Sequence, residues 1–450
     1  MGPRRQKSER AAKARIAVVA CLAFQAVLLI AQQSPGLPPW KERPEKLRLE
    51  TGMDCLYQRD LSSSITSIQL FIPGGKSAVP GGKDGLAYLA TRLAIEIPDF
   101  SVAQDIMALG TRMGVAVFED CSVVSLECFS ENLDNALKVV SEIVQDPLFS
   151  GVRIANIKNV MSIYGKAEED NALEAGHDVA MGQFFGGQGY GSALFGTEVS
   201  LKAIEKKDIT AYYASFFIKG KVLFSVCSDL ERDKVRSLLE KYFAKFKAAR
   251  AGDSLLSPSS PSVPGDRTII LDRDTKQTYV GRAFLLPPVT AGNWAKGYLL
   301  EVLLGRGPGS RLWDLRASGR LAYNVGARLT WMKTSGVLEA YLETENAKKD
   351  RAVSALDETL RLLHEKGLNE EELRLTRNLA RAQLLRANEA KRPRAQAMGV
   401  WEVLGLGFDY LSTVFDNIDA VTAADLNAFI KEILDPDKSI LVLVGRKSLP

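Results

Sequence analysis

With 450 residues and 46% hydrophobic composition, the chain can bury more than one core, because single cores stop growing at about 250–300 residues. The net charge of +4 is small for this length and collects in the first fifteen residues, so the chain carries no nucleic-acid footprint. Its only histidines are His177 and His364, and it has no CxxC. That excludes a redox dithiol or cysteine zinc site and leaves few nitrogen ligands for any metal.

In chain order, a basic start (Arg4, Arg5, Lys7, Arg10, Lys13, Arg15) runs into an apolar stretch from Ile16 to Ala31. The stretch is slightly short of the ~17–25 residues that span a bilayer and long for a signal-peptide core of ~7–15. Residues 1–32 are therefore expected to be a signal peptide or a retained signal-anchor helix, with the rest of the chain exported. Residues 33–45, with Pro35, Pro38, Pro39 and Pro44, form a stiff spacer. A second spacer, 251–266, contains Ser257, Pro258, Ser259, Ser260, Pro261, Ser262, Pro264 and Gly265, and separates halves at 46–250 and 267–450. Cys55, Cys121, Cys128 and Cys227 sit in strand-like surroundings and are expected to be buried free thiols.

The halves read as divergent copies. Each opens with a strand and charged turn (Leu56 to Asp60; Leu271 to Asp274), then an alternating strand (Ile65 to Ile72; Thr278 to Leu286). Each closes on a related phrase: Lys207-Asp208-Ile209 before a strand from Val222, and Ala424-Asp425-Leu426 before a strand from Ile440. Asp208 and Asp425 would cap helix starts. A strand pair, helix, strand, helix hairpin and strand in each half implies an α+β fold of two homologous sandwich domains, each an antiparallel-rich sheet covered by helices.

The first candidate site is the helix after Pro80-Gly81-Gly82-Lys83-Asp84, running Gly85-Leu86-Ala87-Tyr88-Leu89-Ala90-Thr91-Arg92-Leu93-Ala94-Ile95. It resembles the insulinase/pitrilysin metallopeptidase family, whose first domain carries G-L-A-H-x-x-E-H after a similar glycine-rich turn. In that motif the histidines bind zinc and the glutamate is the general base. Here the three positions read Tyr88, Thr91 and Arg92, and a third ligand expected near Ser162 to Tyr164 is not a glutamate, although a shifted alignment reaches Glu168. Packing alone accounts for the helix if Leu86, Leu89, Leu93 and Ile97 form its apolar face; alternatively Tyr88 and Arg92 contact a bound peptide.

The second candidate is Gly305 to Arg316 followed by Gly319-Arg320-Leu321-Ala322-Tyr323-Asn324-Val325, which resembles the family's G-x-x-S-R-L-x-x-x-L-R-x-x-x-x-L-A-Y-x-V segment. The resemblance implies that Arg316 and Tyr323 contact the substrate backbone and stabilise charge at the scissile carbonyl. The alternative makes Arg316 a surface charge and Tyr323 a strand aromatic packed on Trp313 or Trp331. Gly186 to Thr197 has no phosphate-loop arrangement and reads as a flexible turn, and the helix through Arg386 as a solvated charged face. The resemblance covers roughly Lys46 to Lys447. It implies a zinc-less, non-catalytic subunit that binds peptides and completes the site of a zinc-bearing partner, with no cofactor in this chain. A structural or assembly subunit of a membrane-associated complex is the other reading, held to the membrane through the N-terminal helix.

Overall fold

The computed structural model describes residues 42–218, 220–246, 260–265, 267–317 and 319–446. The apolar run Ile16 to Ala31 and most of the Ser/Pro linker lie outside the described residues. Among the described residues no helix is long and apolar enough to cross a membrane.

Two sheets carry the fold. The first contains β1 (Glu45–Arg48), β2 (Asp54–Arg59), β3 (Ile65–Pro73), β4 (Arg112–Val117), β5 (Cys121–Phe129) and β6 (Leu223–Ser228), in the order β1-β2-β6-β3-β5-β4. The second contains β7 (Thr268–Asp272), β8 (Gln277–Leu286), β9 (Asn324–Trp331), β10 (Gly336–Glu345) and β11 (Ser439–Gly445), in the order β7-β11-β8-β10-β9. Leaving β1 aside, the two orders are the same, and so are the directions. β2 runs parallel to β6 as β7 does to β11, and the other pairs are antiparallel. One feature departs from the sequence expectation. Each half has a two-stranded hairpin in its middle, β4–β5 and β9–β10, where a single strand was expected.

The helices that position the site are α1 (Leu86–Leu93), α2 (Gly151–Asp170), α3 (Ala172–Phe185), α4 (Lys206–Tyr213), α5 (Trp313–Ala317), α6 (Lys391–Leu404) and α7 (Ala423–Ile433). Asp208 and Asp425 lie in the first turns of α4 and α7 rather than ahead of them. Each carboxylate reaches back to the backbone N–H that precedes its helix, Glu205 N at 2.8 Å and Thr422 N at 3.0 Å.

Strands β3 and β11 are buried along nearly their whole length, which requires cover on both sheet faces. The halves supply that cover to each other. Helix α3, from the first half, packs Ala175, Ala180, Met181 and Phe184 onto Tyr279, Ala283, Ile440 and Val442 of the second sheet. Helix α6, from the second half, packs Ala395 and Met398 onto Phe71, Val123 and Leu223 of the first. Polar anchors fix α6 there: Lys391 Nζ donates to the carbonyls of Ser63 and Ile65 at 2.6 and 2.8 Å, and Ser225 Oγ to that of Ala395 at 2.6 Å. Each crossing helix brings a glycine against an aromatic ring. A Cβ on Gly176 would stand 2.4 Å from the Tyr279 ring, and one on Gly399 2.0 Å from the Phe71 ring.

Cys55, Cys121, Cys128 and Cys227 are buried free thiols. Burial pushes the Cys55, Cys128 and Cys227 thiols up to about 12, so they stay protonated and unreactive at neutral pH.

Candidate functional site

Helix α1 begins after Gly85, whose φ of 88° is one that glycine adopts without strain; a Cβ there would also lie 3.0 Å from the Gly196 nitrogen. Leu86, Leu89, Ala90 and Leu93 are buried in the first core. The helix ends at Leu93, so Ile97 lies beyond it and does not extend its apolar face. Thr91 is fully buried and its hydroxyl donates to the Ala87 carbonyl at 2.7 Å. Arg92 pairs with Glu96 at 2.5 Å. Tyr88 sets its ring edge-on to Phe195 at 4.8 Å, and Phe195 in turn meets Tyr164 at 5.3 Å. An aromatic trio thus joins the first motif position to Tyr164, at the end of the stretch where a third zinc ligand was expected.

These residues do not fit zinc. A phenol, a hydroxyl committed to its own helix and a salt-bridged guanidinium offer no imidazole or free carboxylate. Among the described residues no group of three or more His, Cys, Asp or Glu could hold a metal ion. Glu168 does not repair the set, because one carboxylate cannot replace the two ligands missing at positions 88 and 92. A variant with Tyr88→His, Thr91→Glu and Arg92→His is accordingly expected to retain well under one zinc per chain after dialysis, measured by metal analysis. Stoichiometric zinc would reveal a third ligand that the geometry does not offer.

The second segment does converge. Arg316 lies on the short helix α5 with its guanidinium over the Trp313 ring, 5.0 Å from the centroid. Leu321 is buried and its carbonyl accepts from Thr344 Oγ1 at 2.6 Å, which pins the return loop to β10. Tyr323 precedes β9, with its N–H donating to the Glu343 carbonyl at 2.9 Å. Its ring is 55% exposed and its hydroxyl donates to Glu345 Oε1 at 3.0 Å. Tyr323 is therefore not a strand aromatic packed on a tryptophan. Trp331 lies against Gly297 and Gly336, and Trp313 beneath Arg316.

Arg316 and Tyr323 line one open pocket of about 320 Å³, together with Arg320, Leu321, Ala322, Glu345 and Lys348. The hydrogen bond to Glu345, and then the charge of that carboxylate, raise the Tyr323 phenol above its ordinary value, so it keeps its proton. The Glu345 carboxyl is held below its usual range, first by the hydrogen bond from Lys348 and then by that from Tyr323. Sequence reasoning quoted Arg320 without singling it out, and it had no signal for Lys348 or Glu345, which arrive from the far end of β10.

A half-buried charge cluster lies where α3 crosses the second sheet. His177 Nδ1 and Glu339 Oε2 are 2.5 Å apart, and Arg328 makes a two-pronged pair with Glu174 at 2.6 and 3.0 Å. Lys76, Glu168, Asp178 and Tyr279 face the same cluster. Burial alone would lower the His177 pKa, but the Glu339 charge and hydrogen bond outweigh it and the net shift is upward. Burial, then the charges of Asp178 and Glu174, push Glu168 up to about 7, and burial likewise raises Asp178.

A group whose pKa rises on folding adds stability below its unfolded pKa and loses it as pH climbs through the folded value. All three groups therefore act in one direction, Glu168 between its ordinary value and about 7 and His177 above its ordinary value, with Asp178 adding in the same sense above its own. The Glu174 shift, downward through its Arg328 hydrogen bond, acts only below the ordinary glutamate value of 4.5. The urea midpoint is expected to rise as pH falls from about 8 to about 5.5, and His177→Gln to flatten that slope. A slope unchanged in the variant would remove His177 from the explanation.

Residues 203–379 match the protein-family description "Peptidase M16 inactive domain". Among curated relatives, an uncharacterized zinc protease of Rickettsia felis is 23% identical over 80% of this chain and 87% of its own length. The non-peptidase homolog YmxG of Helicobacter pylori is 22% identical over 88% of this chain and 93% of its own length. In fold, the chain is similar to the crystal structure of a peptidase M16 inactive domain from Pseudomonas fluorescens. The TM-score is 0.81 at 21% identity, covering 90% of this chain and 98% of that one.

Proposed function

Because the chain belongs to the insulinase/pitrilysin metallopeptidase family and carries Tyr88, Thr91 and Arg92 at its zinc-motif positions, we propose that it is the non-catalytic subunit of a heteromeric zinc metallopeptidase. In this reading it binds peptide substrate and lends Arg316 and Tyr323 to the active site of a zinc-bearing partner of the same family. The halves at 46–250 and 267–450 are, in this reading, duplicated domains joined by the 251–266 linker, which the like order and direction of the two sheets support. In the same reading the globular part lies outside the cytoplasm, anchored or released, and the basic, apolar run of residues 1–32 is what supports it.

One observation carries the reading: Arg316 and Tyr323 converge on an open pocket while the zinc-motif positions are spent on packing and a local ion pair. A guanidinium and a neutral phenol can both donate hydrogen bonds to a carbonyl oxygen as it becomes negative. Tyr323 must first exchange its bond to Glu345 for one to substrate. The zinc, its ligands and the general base would come from the partner chain.

A second reading, a structural or assembly subunit, draws support from the non-peptidase description of a relative aligned over 93% of its length. Isolating the full chain from its native host with bound proteins, and assaying a quenched peptide with and without chelator, separates the two. Recovery of a subunit carrying H-x-x-E-H, with chelator-sensitive hydrolysis that needs both chains, is expected. A stable complex without any zinc subunit would instead make the chain a scaffold.

A further inference from the structure

The pocket at Arg316 and Tyr323 is not electrically neutral. Arg316, Arg320 and Lys348 line it against one carboxylate, Glu345. Glu345 is already satisfied, by Lys348 Nζ at 2.9 Å and the Tyr323 hydroxyl at 3.0 Å. Among the described residues, the Arg316 and Arg320 guanidinium groups have no carboxylate partner. Two forked cations therefore face an open volume with their donors unspent.

The backbone supplies an independent observation. Arg320 has φ of 44° and is the one non-glycine residue with positive φ among those described. Glycine would adopt that conformation freely, whereas an L side chain pays a strain that persists only where the surroundings hold it. A long cation stands at a position that favours glycine, and it lines the pocket.

We propose that this pocket is a carboxylate subsite: it takes an acidic side chain or the terminal carboxylate of the bound peptide, with Arg320 and Lys348 determining that specificity beside Arg316 and Tyr323. The inference rests on the peptide-binding reading above and names the substrate class it leaves open. The pocket itself shows the chemistry, because Lys348 and Tyr323 already hold one carboxylate, that of Glu345. Those two donors share one oxygen of Glu345, whereas a planar guanidinium can match both oxygens of a second carboxylate. The contacts are exposed, so the preference should weaken as salt rises.

The test measures binding of three fluorescent peptides of one sequence to the full-length chain by anisotropy. One is amidated with a central Gln, one amidated with Glu in its place, and one has the Gln and a free C-terminus. The expected result is that one or both carboxylate peptides bind about tenfold more tightly than the neutral one, equivalent to ~1.4 kcal/mol. Whichever peptide gains identifies the carboxylate as side chain or terminus. In Arg320→Gly and Lys348→Ala the ratio should collapse to within about twofold. Arg320→Gly removes the charge at a φ native to glycine, so an unfolding midpoint at or above that of the parent separates lost recognition from lost folding. Peptides bound with no charge preference overturn the subsite and leave the peptide reading standing. A preference that survives both substitutions also overturns it, since the charge is then read elsewhere. No binding of any peptide overturns the peptide reading and the subsite with it.

Discussion

Gly399→Leu is expected to lower the stability of the protein by roughly 3 kcal/mol or more, read as a large drop in urea midpoint. Helix α6 lies so close to the first sheet that even a Cβ at position 399 would stand 2.0 Å from the Phe71 ring. Phe71 is 1% exposed in the middle of β3, with cover on both sheet faces, so the ring has no free space to swing into. Inserting a side chain into such a core commonly costs about 1–3 kcal/mol, and four extra carbons at a contact this short belong at the upper end. That is a large part of the ~5–15 kcal/mol that holds a domain together.

Alanine at the same site makes a finer test. It gains about 1 kcal/mol of helix propensity over glycine, yet the clash should exceed that gain and leave a net loss. Gly176→Leu on α3, against Tyr279, should behave alike, because its Cβ would lie 2.4 Å from a ring that is 1% exposed. Midpoints unchanged in both leucine variants would mean that the crossing helices are not packed elements of the fold.

Arg316→Ala and Tyr323→Phe are expected to reduce peptide hydrolysis by the reconstituted pair about 10²–10³-fold each, the cost of removing one donor to a developing oxyanion. Such donors act in the transition state more than in the ground state. The loss should therefore appear in kcat and in kcat/KM alike, with little change in KM. The double variant should fall well short of the product of the two, because the groups act on one oxygen. Association with the partner should persist, since both side chains are exposed and the surrounding loop is held by Leu321 and Thr344. Full activity in either single variant would withdraw that residue from the proposed site, and full activity in both would leave the assembly reading.

Much of the architecture was legible. β3 and β8 are legible to within a residue from their alternation, and β11 from a sustained β-branched and apolar run of the kind that marks a strand covered on both faces. The recurrence of Asp208 and Asp425 in related phrases foretold two sheets of one topology. The middle hairpins were undercounted. β4, Arg-Met-Gly-Val-Ala-Val, is a half-exposed edge strand without clean alternation, and its period says little.

At the sites the division is equally physical. Three residue identities, Tyr88, Thr91 and Arg92, put no imidazole or carboxylate at the motif positions, and donor chemistry is something a sequence states directly. Tertiary structure alone decided what surrounds the two sites: Tyr88 meets Phe195 edge-on and Phe195 meets Tyr164, while Glu345 accepts from Tyr323 beside Lys348. It also decided that each half covers the other's sheet, and that His177 meets Glu339, 162 positions away. Local periodicity shows that a helix or strand has an apolar face. Which other face covers it depends on how the whole chain closes, and no window of sequence contains that.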